Sequence, residues 1–261
     1  MHLRYMARSD VGLGRDGNED SGVAGPDVLA VADGMGGHAA GEVASQAAVS
    51  QFARAAGLDR GNGASALESL GSLFALANDR IKQLVTDAPE REGMGTTATV
   101  MLMPAGPDPA GQLALGHIGD SRAYLARGAA LTQLTRDHTF VQALVDDEQI
   151  SPAEARIHPA RSVVTKVLQG QDGAEPDLTL VDVQPGDRLL ICSDGLTDVA
   201  TDDAIAEVLA TTSSLDEAAD RLIQLALVGG GPDNITIVLA DVAEGDQPDE
   251  DAPTYFVGAA A

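Results

Sequence analysis

Tryptophan is absent from this 261-residue chain, and Phe, Trp and Tyr together make up 3% of it. Without aromatic clusters, the platforms on which single-stranded nucleic acid stacks cannot be built. Basic residues are also scarce: 16 Lys and Arg stand against 40 Asp and Glu, a formal net charge of -24. That sign disfavours nucleic acid and anionic membrane as partners, because both are held by clustered positive charge. The acidity otherwise serves solubility. A single cysteine, Cys192, excludes a disulfide framework. Its place in the apolar run LLICS marks it as a buried small hydrophobe rather than a nucleophile. The opening MHLRYMARSD has no apolar stretch of signal-peptide length, and no run approaches the ~18 uninterrupted apolar residues of a membrane span. A soluble, cytoplasmic monomer is expected.

What is present is ordinary globular material, 44% hydrophobic and 21% charged, enough for one large domain. HLRYMARS reads as a first strand. Ala44, Ala48, Phe52 and Ala55 recur at helical spacing after the glycine-rich GMGGHAAGE, and Leu67, Leu70, Phe74, Ala77, Ile81 and Leu84 form a clearer apolar stripe. TTATVMLM, QLALGHI, RAYLAR and ALTQL follow with short links and read as one antiparallel meander. From His138 to about Gly170 the pattern loosens into short helical pieces, as in a flap near a site. DLTLVDV and RLLICS resume the strands, two helices follow, and NITIVLADV closes the domain at residue 242. Strand blocks with helices in sequential pairs predict two packed sheets covered by helices on both outer faces. Residues 243–261 begin with AEGDQPDEDAPT, five acids and no base, and read as a disordered tail.

Four apolar runs meet an acid at their ends: VLAVAD at Asp33, LALGHIGD at Asp120, RLLICSD at Asp194, and NITIVLADV just after Asp233. A strand delivers its terminal side chain rigidly at a sheet edge, so distant carboxylates can converge there. Two carboxylates ~5 Å apart repel by roughly 3 kcal/mol at an effective dielectric of 20, so such a cluster implies bound cations. Each Asp-Gly or Pro-Asp alone would be an ordinary turn; three in matching strand-edge contexts are not. In ADGMGGHAAGE the dense glycines let backbone approach a ligand, so the Gly34 carbonyl can join the Asp33 carboxylate. The candidate ligands are all oxygens, with no His or Cys pair at zinc spacing, which favours magnesium or manganese.

SDVGLGRDGNEDS, VADGMGGHAAGE, GMGTTATVML, GHIGDSRAYL, LTRDH, HPARSVVTKVLQG, LLICSDGLTD and GGPDNITIVLAD appear in one order over residues 8 to 242. On these blocks the chain resembles the metal-dependent serine/threonine protein phosphatases of the type-2C family, in particular the bacterial type with its GMGGH variant. The resemblance implies an α+β fold, a four-layer α-β-β-α sandwich with two central antiparallel sheets and a dinuclear site at one edge. It implies that Asp33 bridges two Mn2+ or Mg2+ ions, that the Gly34 carbonyl binds one of them, and that Asp194 and Asp233 hold the other. By the same likeness Glu19 acts mainly through water, Asp20 orients water from behind the ligands, and Asp120 joins Asp194 at a third ion.

Arg15, four residues before Glu19, matches the arginine that grips the substrate phosphate with two parallel hydrogen bonds. Hydroxide held between the ions would then attack phosphorus in line, with no phosphoenzyme. His38 and metal-bound water are equal candidates for protonating the leaving oxygen, whereas His117 and His138 read as structural. The implied function is hydrolysis of phosphoserine and phosphothreonine in proteins, opposing one or more serine/threonine kinases. Two rivals remain at this point: a catalytically silent phosphoprotein-binding module, and a hydrolase of small phosphomonoesters.

Overall fold

The computed structural model describes residues 1–36, 40–58, 60–105, 111–245 and 252–261. Its strands are β1 (His2–Asp10), β2 (Asp20–Ala24), β3 (Val28–Met35), β4 (Gly95–Thr96), β5 (Ala98–Leu102), β6 (Gln112–Ile118), β7 (Arg122–Arg127), β8 (Ala130–Gln133), β9 (Asp177–Asp182), β10 (Arg188–Cys192), β11 (Ile235–Ala243) and β12 (Tyr255–Gly258). The α-helices are α1 (Gly41–Phe52), α2 (Gly63–Asp87), α3 (Phe140–Asp146), α4 (Pro152–Arg156), α5 (Asp194–Thr197), α6 (Asp202–Thr211) and α7 (Leu215–Val228). One sheet runs β1-β11-β10-β7-β8; the other runs β12-β2-β3-β5-β6-β9, with β4 pairing β3. The ladders are antiparallel throughout.

Alternation along the strands builds the layers, since successive side chains leave opposite faces. On β3, Leu29 and Val31 meet Leu189, Ile191, Val238 and Ala240 in the seam between the sheets. The intervening Ala30 and Ala32 face outward under α1 and α2, against Ala44, Phe52, Leu70 and Phe74. On β10 the roles repeat: Leu190 and Cys192 pack outward under Ile205, Leu209, Leu222 and Ala226 of α6 and α7. This is the expected four-layer α-β-β-α sandwich. Cys192 is fully buried, and burial pushes its thiol up to about 12, so it stays protonated and inert.

Helix starts follow local chemistry. Asn62, Thr139, Thr201 and Ser214 each accept a backbone N–H from the first turn of α2, α3, α6 and α7, satisfying donors that the helix itself cannot. α4 starts on a capping box between Ser151 and Glu154.

Two expectations need correction. The four runs after residue 97 are not one meander: β5 and β6 belong to the larger sheet and β7 and β8 to the smaller. The chain changes sheet at Gly119–Ser121, a short link that looks like a hairpin turn in sequence. Residues 243–261 are not wholly a disordered tail either, because Tyr255–Gly258 pairs with β2 as an edge strand. Residues 246–251 lie outside the described part. Among the described residues, no helix is long and apolar enough to cross a membrane.

Candidate metal centre

The β2–β3 ladder sets Asp20 directly opposite Asp33. Asp33 is fixed through its backbone: its N–H donates to Thr97 Oγ1 at 3.0 Å, and its carbonyl accepts from Thr97 N–H at 2.9 Å and from Thr96 Oγ1 at 2.9 Å. The Thr97 hydroxyl lies 2.7 Å from that of Ser121, which ties the Asp33 strand end to the neighbour of Asp120. From the smaller sheet, Ser193 Oγ donates to Asp20 Oδ2 at 2.7 Å while accepting Thr236 N–H at 2.9 Å. A buried hydroxyl chain therefore joins the two sheets at the edge where the acids gather.

Asp194 follows as the first residue of α5. Its Oδ1 is buried with no hydrogen-bond partner. Asp120, 8% exposed, lines a cavity of about 280 Å3 together with Asp194, Asp198, Arg122 and Arg161. This cavity runs under α3 and α4, so the irregular segment from His138 onward does cover the region beside the acids.

The electrostatics is that of carboxylates crowded without compensation. Burial, then the charges of Asp20, Asp194, Asp120 and Asp233, hold the Asp33 carboxyl well above the usual carboxylate range. Burial and Asp194 do the same to Asp120. Burial pushes Asp20 up to about 8 against the opposing hydrogen bond from Ser193. Asp194 rises to about 7 through burial and the charges of Asp198 and Asp233. Five acids from strand ends of both sheets thus feel one another, the condition under which protons are retained or cations drawn in.

Asp233 is held differently. Its Oδ2 accepts Arg15 Nη2 at 2.7 Å and its Oδ1 accepts Asn234 N–H at 2.8 Å. Arg15 also lies 3.9 Å from Glu19 Oε2. The arginine expected at the phosphate therefore stands on an expected metal ligand. Glu19 is placed by its backbone, its N–H on Asn234 Oδ1 at 2.8 Å and its carbonyl on Ser45 Oγ at 2.6 Å. Gly34 donates its N–H to that same Glu19 carbonyl at 3.2 Å. A Cβ at Gly34 would stand 2.2 Å from the Gly41 carbonyl oxygen and 2.5 Å from that of Glu19, so only glycine lets these three backbones close together. His38 lies outside the described residues.

His117 and His138 stack with ring centroids 4.9 Å apart. His117 spans Thr99 Oγ1 at 2.9 Å and the Arg136 carbonyl at 3.1 Å. His138 accepts Gly119 N–H at 3.1 Å and faces Asp177 Oδ2 at 3.1 Å. Both rings have their nitrogens committed to the fold, as the sequence suggested.

Sequence reasoning passed over three contributors. Asn234 binds the Val11 and Gly17 carbonyls at 2.8 and 2.9 Å as well as Glu19 N–H, and so shapes the whole loop that carries Arg15. Its signal was an Asn wedged between Asp233 and a strand. Ser193 carried no signal beyond standing before Asp194. Asp198, in the quoted ICSDGLTD, lines the cavity with Asp120 and Asp194 and is 3.6 Å from Arg161.

Among the described residues, no three His, Cys, Asp or Glu side chains form a finished metal cage. Two of the acids are engaged by other side chains, Asp233 by Arg15 and Asp20 by Ser193. The donor set nevertheless fits divalent cations: it is all oxygen, one buried Asp194 oxygen has no partner, and among the described residues no basic side chain is paired with Asp20, Asp33 or Asp194 to offset the burial that raises them.

The model of the protein phosphatase 2C family matches residues 18–227. The chain is 50% identical to the serine/threonine protein phosphatase PstP of Mycobacterium tuberculosis over 244 residues, 94% of this chain but 46% of the relative; it thus spans about half the length of that protein. It is 35% identical to the protein phosphatase PhpP of Streptococcus pneumoniae, covering 91% of this chain and 97% of the relative. Among solved structures, that of the M. tuberculosis serine/threonine phosphatase PstP superposes with a TM-score of 0.87 at 48% identity, covering 94% of this chain and 100% of the other. The catalytic domain of PstP in complex with two manganese ions superposes with a TM-score of 0.84, over 93% and 99% of the two chains. With the sandwich, the acid cluster and these likenesses together, the chain belongs to the protein phosphatase 2C family.

Proposed function

We propose that this chain hydrolyses phosphoserine and phosphothreonine in proteins, using two Mn2+ or Mg2+ ions and opposing one or more serine/threonine kinases. The observation that carries the proposal is the convergence of acids at one sandwich edge, with Asp20 opposite Asp33 in the β2–β3 ladder and bonded to Ser193, Asp120 and Asp194 lining one cavity, and Arg15 on Asp233 at the rim. Asp33, the Gly34 carbonyl, Asp194 and Asp233 would hold the two ions, with Asp120 and Asp194 available to a third. Bound there, divalent ions ionise a water near neutral pH and neutralise charge on phosphoryl oxygens.

The chain's own residues supply binding and alignment. Arg15 leaves Asp233 and places two parallel N–H bonds on the phosphate, which fixes phosphorus for in-line attack and offsets charge on its equatorial oxygens. Asp20, held by Ser193, keeps the Asp33 side of the cluster oriented from behind. The leaving serine or threonine oxygen takes a proton, with His38 the candidate donor among side chains. The silent-module reading is disfavoured because all the candidate acids are present.

The test is manganese-dependent release of phosphate from a phosphothreonine peptide, with chelator and Asp33→Asn as controls. Loss of release in both controls is expected. Comparable turnover of many small phosphomonoesters with none on the phosphopeptide would transfer the assignment to a small-molecule hydrolase, and binding of phosphopeptide without release would transfer it to a binding module.

A further inference from the structure

The strand β12 packs on the core through Val257 alone, since Tyr255 and Phe256 remain 47% and 40% exposed. Its hydrogen bonds go to the main chain of the strand that carries Asp20. The register runs Tyr255↔Ala24 to Gly258↔Ser21. One step further, Ala259 N–H donates to the Asp20 carbonyl at 2.7 Å. Gly258 turns the chain onto that carbonyl with φ +70, and a Cβ there would lie 2.2 Å from the Asp20 oxygen. The segment is anchored at both ends: Tyr5 OH donates to the Pro253 carbonyl at 2.7 Å, and Gln46 Nε2 of α1 donates to the Ala259 carbonyl at 3.2 Å. Asp20 is therefore gripped on one side by β3, opposite Asp33, and on the other by Ala259. Without residues 252–261, β2 would be the open edge of its sheet and Asp20 would end an unflanked strand.

We propose that residues 252–261 are a positioning element for the acid cluster: by closing the β2 edge they fix the backbone of Asp20, and through it the carboxyls facing Asp33 and Ser193. The inference rests on reading that cluster as the metal centre. It separates the functions of two segments. The C-terminal strand governs how well the acids are aimed, whereas the phosphate contact stays with Arg15, on a loop shaped by Asn234.

The experiment compares the full chain, a chain ending at Gly245 and the full-length variant Gly258→Val, by calorimetric titration with manganese alone and by phosphopeptide kinetics. Both altered proteins are expected to bind manganese about tenfold more weakly, the loss typical of removing support from behind metal ligands. kcat should fall while KM stays within twofold. A synthetic peptide of residues 252–261 should restore affinity to the shortened chain, and Tyr255→Ala, which loses the edge contact with the Tyr5 ring and keeps the main-chain pairing, should bind as the full chain does. Manganese affinity within twofold of the full chain in both altered proteins overturns the proposal. So does failure of the peptide to restore affinity, or failure of both altered proteins to fold, because the strand would then be a folding element. A full chain that binds no manganese removes the metal-centre reading itself and this inference with it, a result distinct from an indifferent truncation.

Discussion

Arg15 Nη2 stands 2.7 Å from Asp233 Oδ2, so a residue expected to take phosphate occupies a residue expected to take metal. The pair is 48% and 31% exposed at its side chains, and ion pairs at such sites contribute up to about 1 kcal/mol. It is cheap to break. An arginine drawn off the acid edge at so little cost is compatible with the phosphate role proposed for it.

Arg15→Ala should therefore split its effects. KM for a phosphothreonine peptide is expected to rise about tenfold or more, the loss of a bidentate charged contact. Manganese affinity without substrate should improve slightly, because Asp233 is freed. Arg15→Lys should reverse the second effect and not the first. Unchanged KM and turnover in Arg15→Ala would remove the arginine from the phosphate site.

Asp33→Asn should abolish turnover while making the metal-free protein more stable. Burial and four neighbouring acids raise the Asp33 carboxyl well above its usual range, so folding near neutral pH obliges it to take up a proton that the unfolded chain does not hold; Asn, neutral in both states, spares about 1 kcal/mol or more of that cost. A rise of about 2–4 °C in Tm is expected for a domain of this size. The stabilisation that manganese gives the parent chain should shrink or vanish in the same thermal scan. A metal-free Tm below the parent's would contradict the crowding argument.

A second charge pair tests the route from β7 to the cavity wall. Arg122 bonds Asp137 through Nε and Nη2, at 2.9 and 2.6 Å to separate oxygens, and Asp137 is 9% exposed. Asp137→Ala would strand a guanidinium that is four-fifths buried, a change that costs about 3–5 kcal/mol in comparable buried pairs. Urea denaturation should show that loss; Arg122→Met, which strands the buried Asp137 carboxylate in turn, should cost a similar amount, and the double variant Asp137→Ala/Arg122→Met, which removes both charges, should cost less than either.

Stability should depend on pH through His117. Burial, helped by the neighbouring His138, lowers its pKa from 6.5 to about 4. A group whose folded pKa is depressed favours the folded state fully above the unfolded value; that advantage is lost as pH falls from about 6.5 through about 4. The full swing is on the order of 3 kcal/mol. The acid cluster has the opposite slope, so the measurement is the difference between the parent and His117→Gln in denaturant melts at each pH. A difference that does not change between pH 7 and pH 4 would show that His117 accepts its proton freely in the folded chain.

The layered fold was legible because it is written at short range. Leu189 and Ile191 alternate with Leu190 and Cys192, and Leu70, Phe74, Ala77 and Ile81 recur at helical spacing. Which sheet a strand joins is not written there. Gly119–Ser121 crosses between layers, while Gly128–Ala129 closes a hairpin between β7 and β8, and both are short links with one glycine. The acids of 244–251 likewise drew attention from Tyr255–Val257, a run whose pairing with β2 is a long-range event. At the site, carboxylates ending apolar runs were conspicuous, since each interrupts a pattern. Asn234 and Ser193 interrupt nothing, and their bonds exist only once the two sheets have met.

The change of sheet at Asp120 has one more consequence. Asp20 and Asp33 ride on the larger sheet, Asp194 and Asp233 on the smaller, so an ion held by both would act as a rivet through two plates. The gap between those plates is set by Leu29, Val31, Ile191 and Val238, packed as densely as an organic crystal. A methyl group shaved from that oily filling would let the plates settle and move the rivet holes out of line, so a wholly apolar substitution far from any acid could loosen the ion.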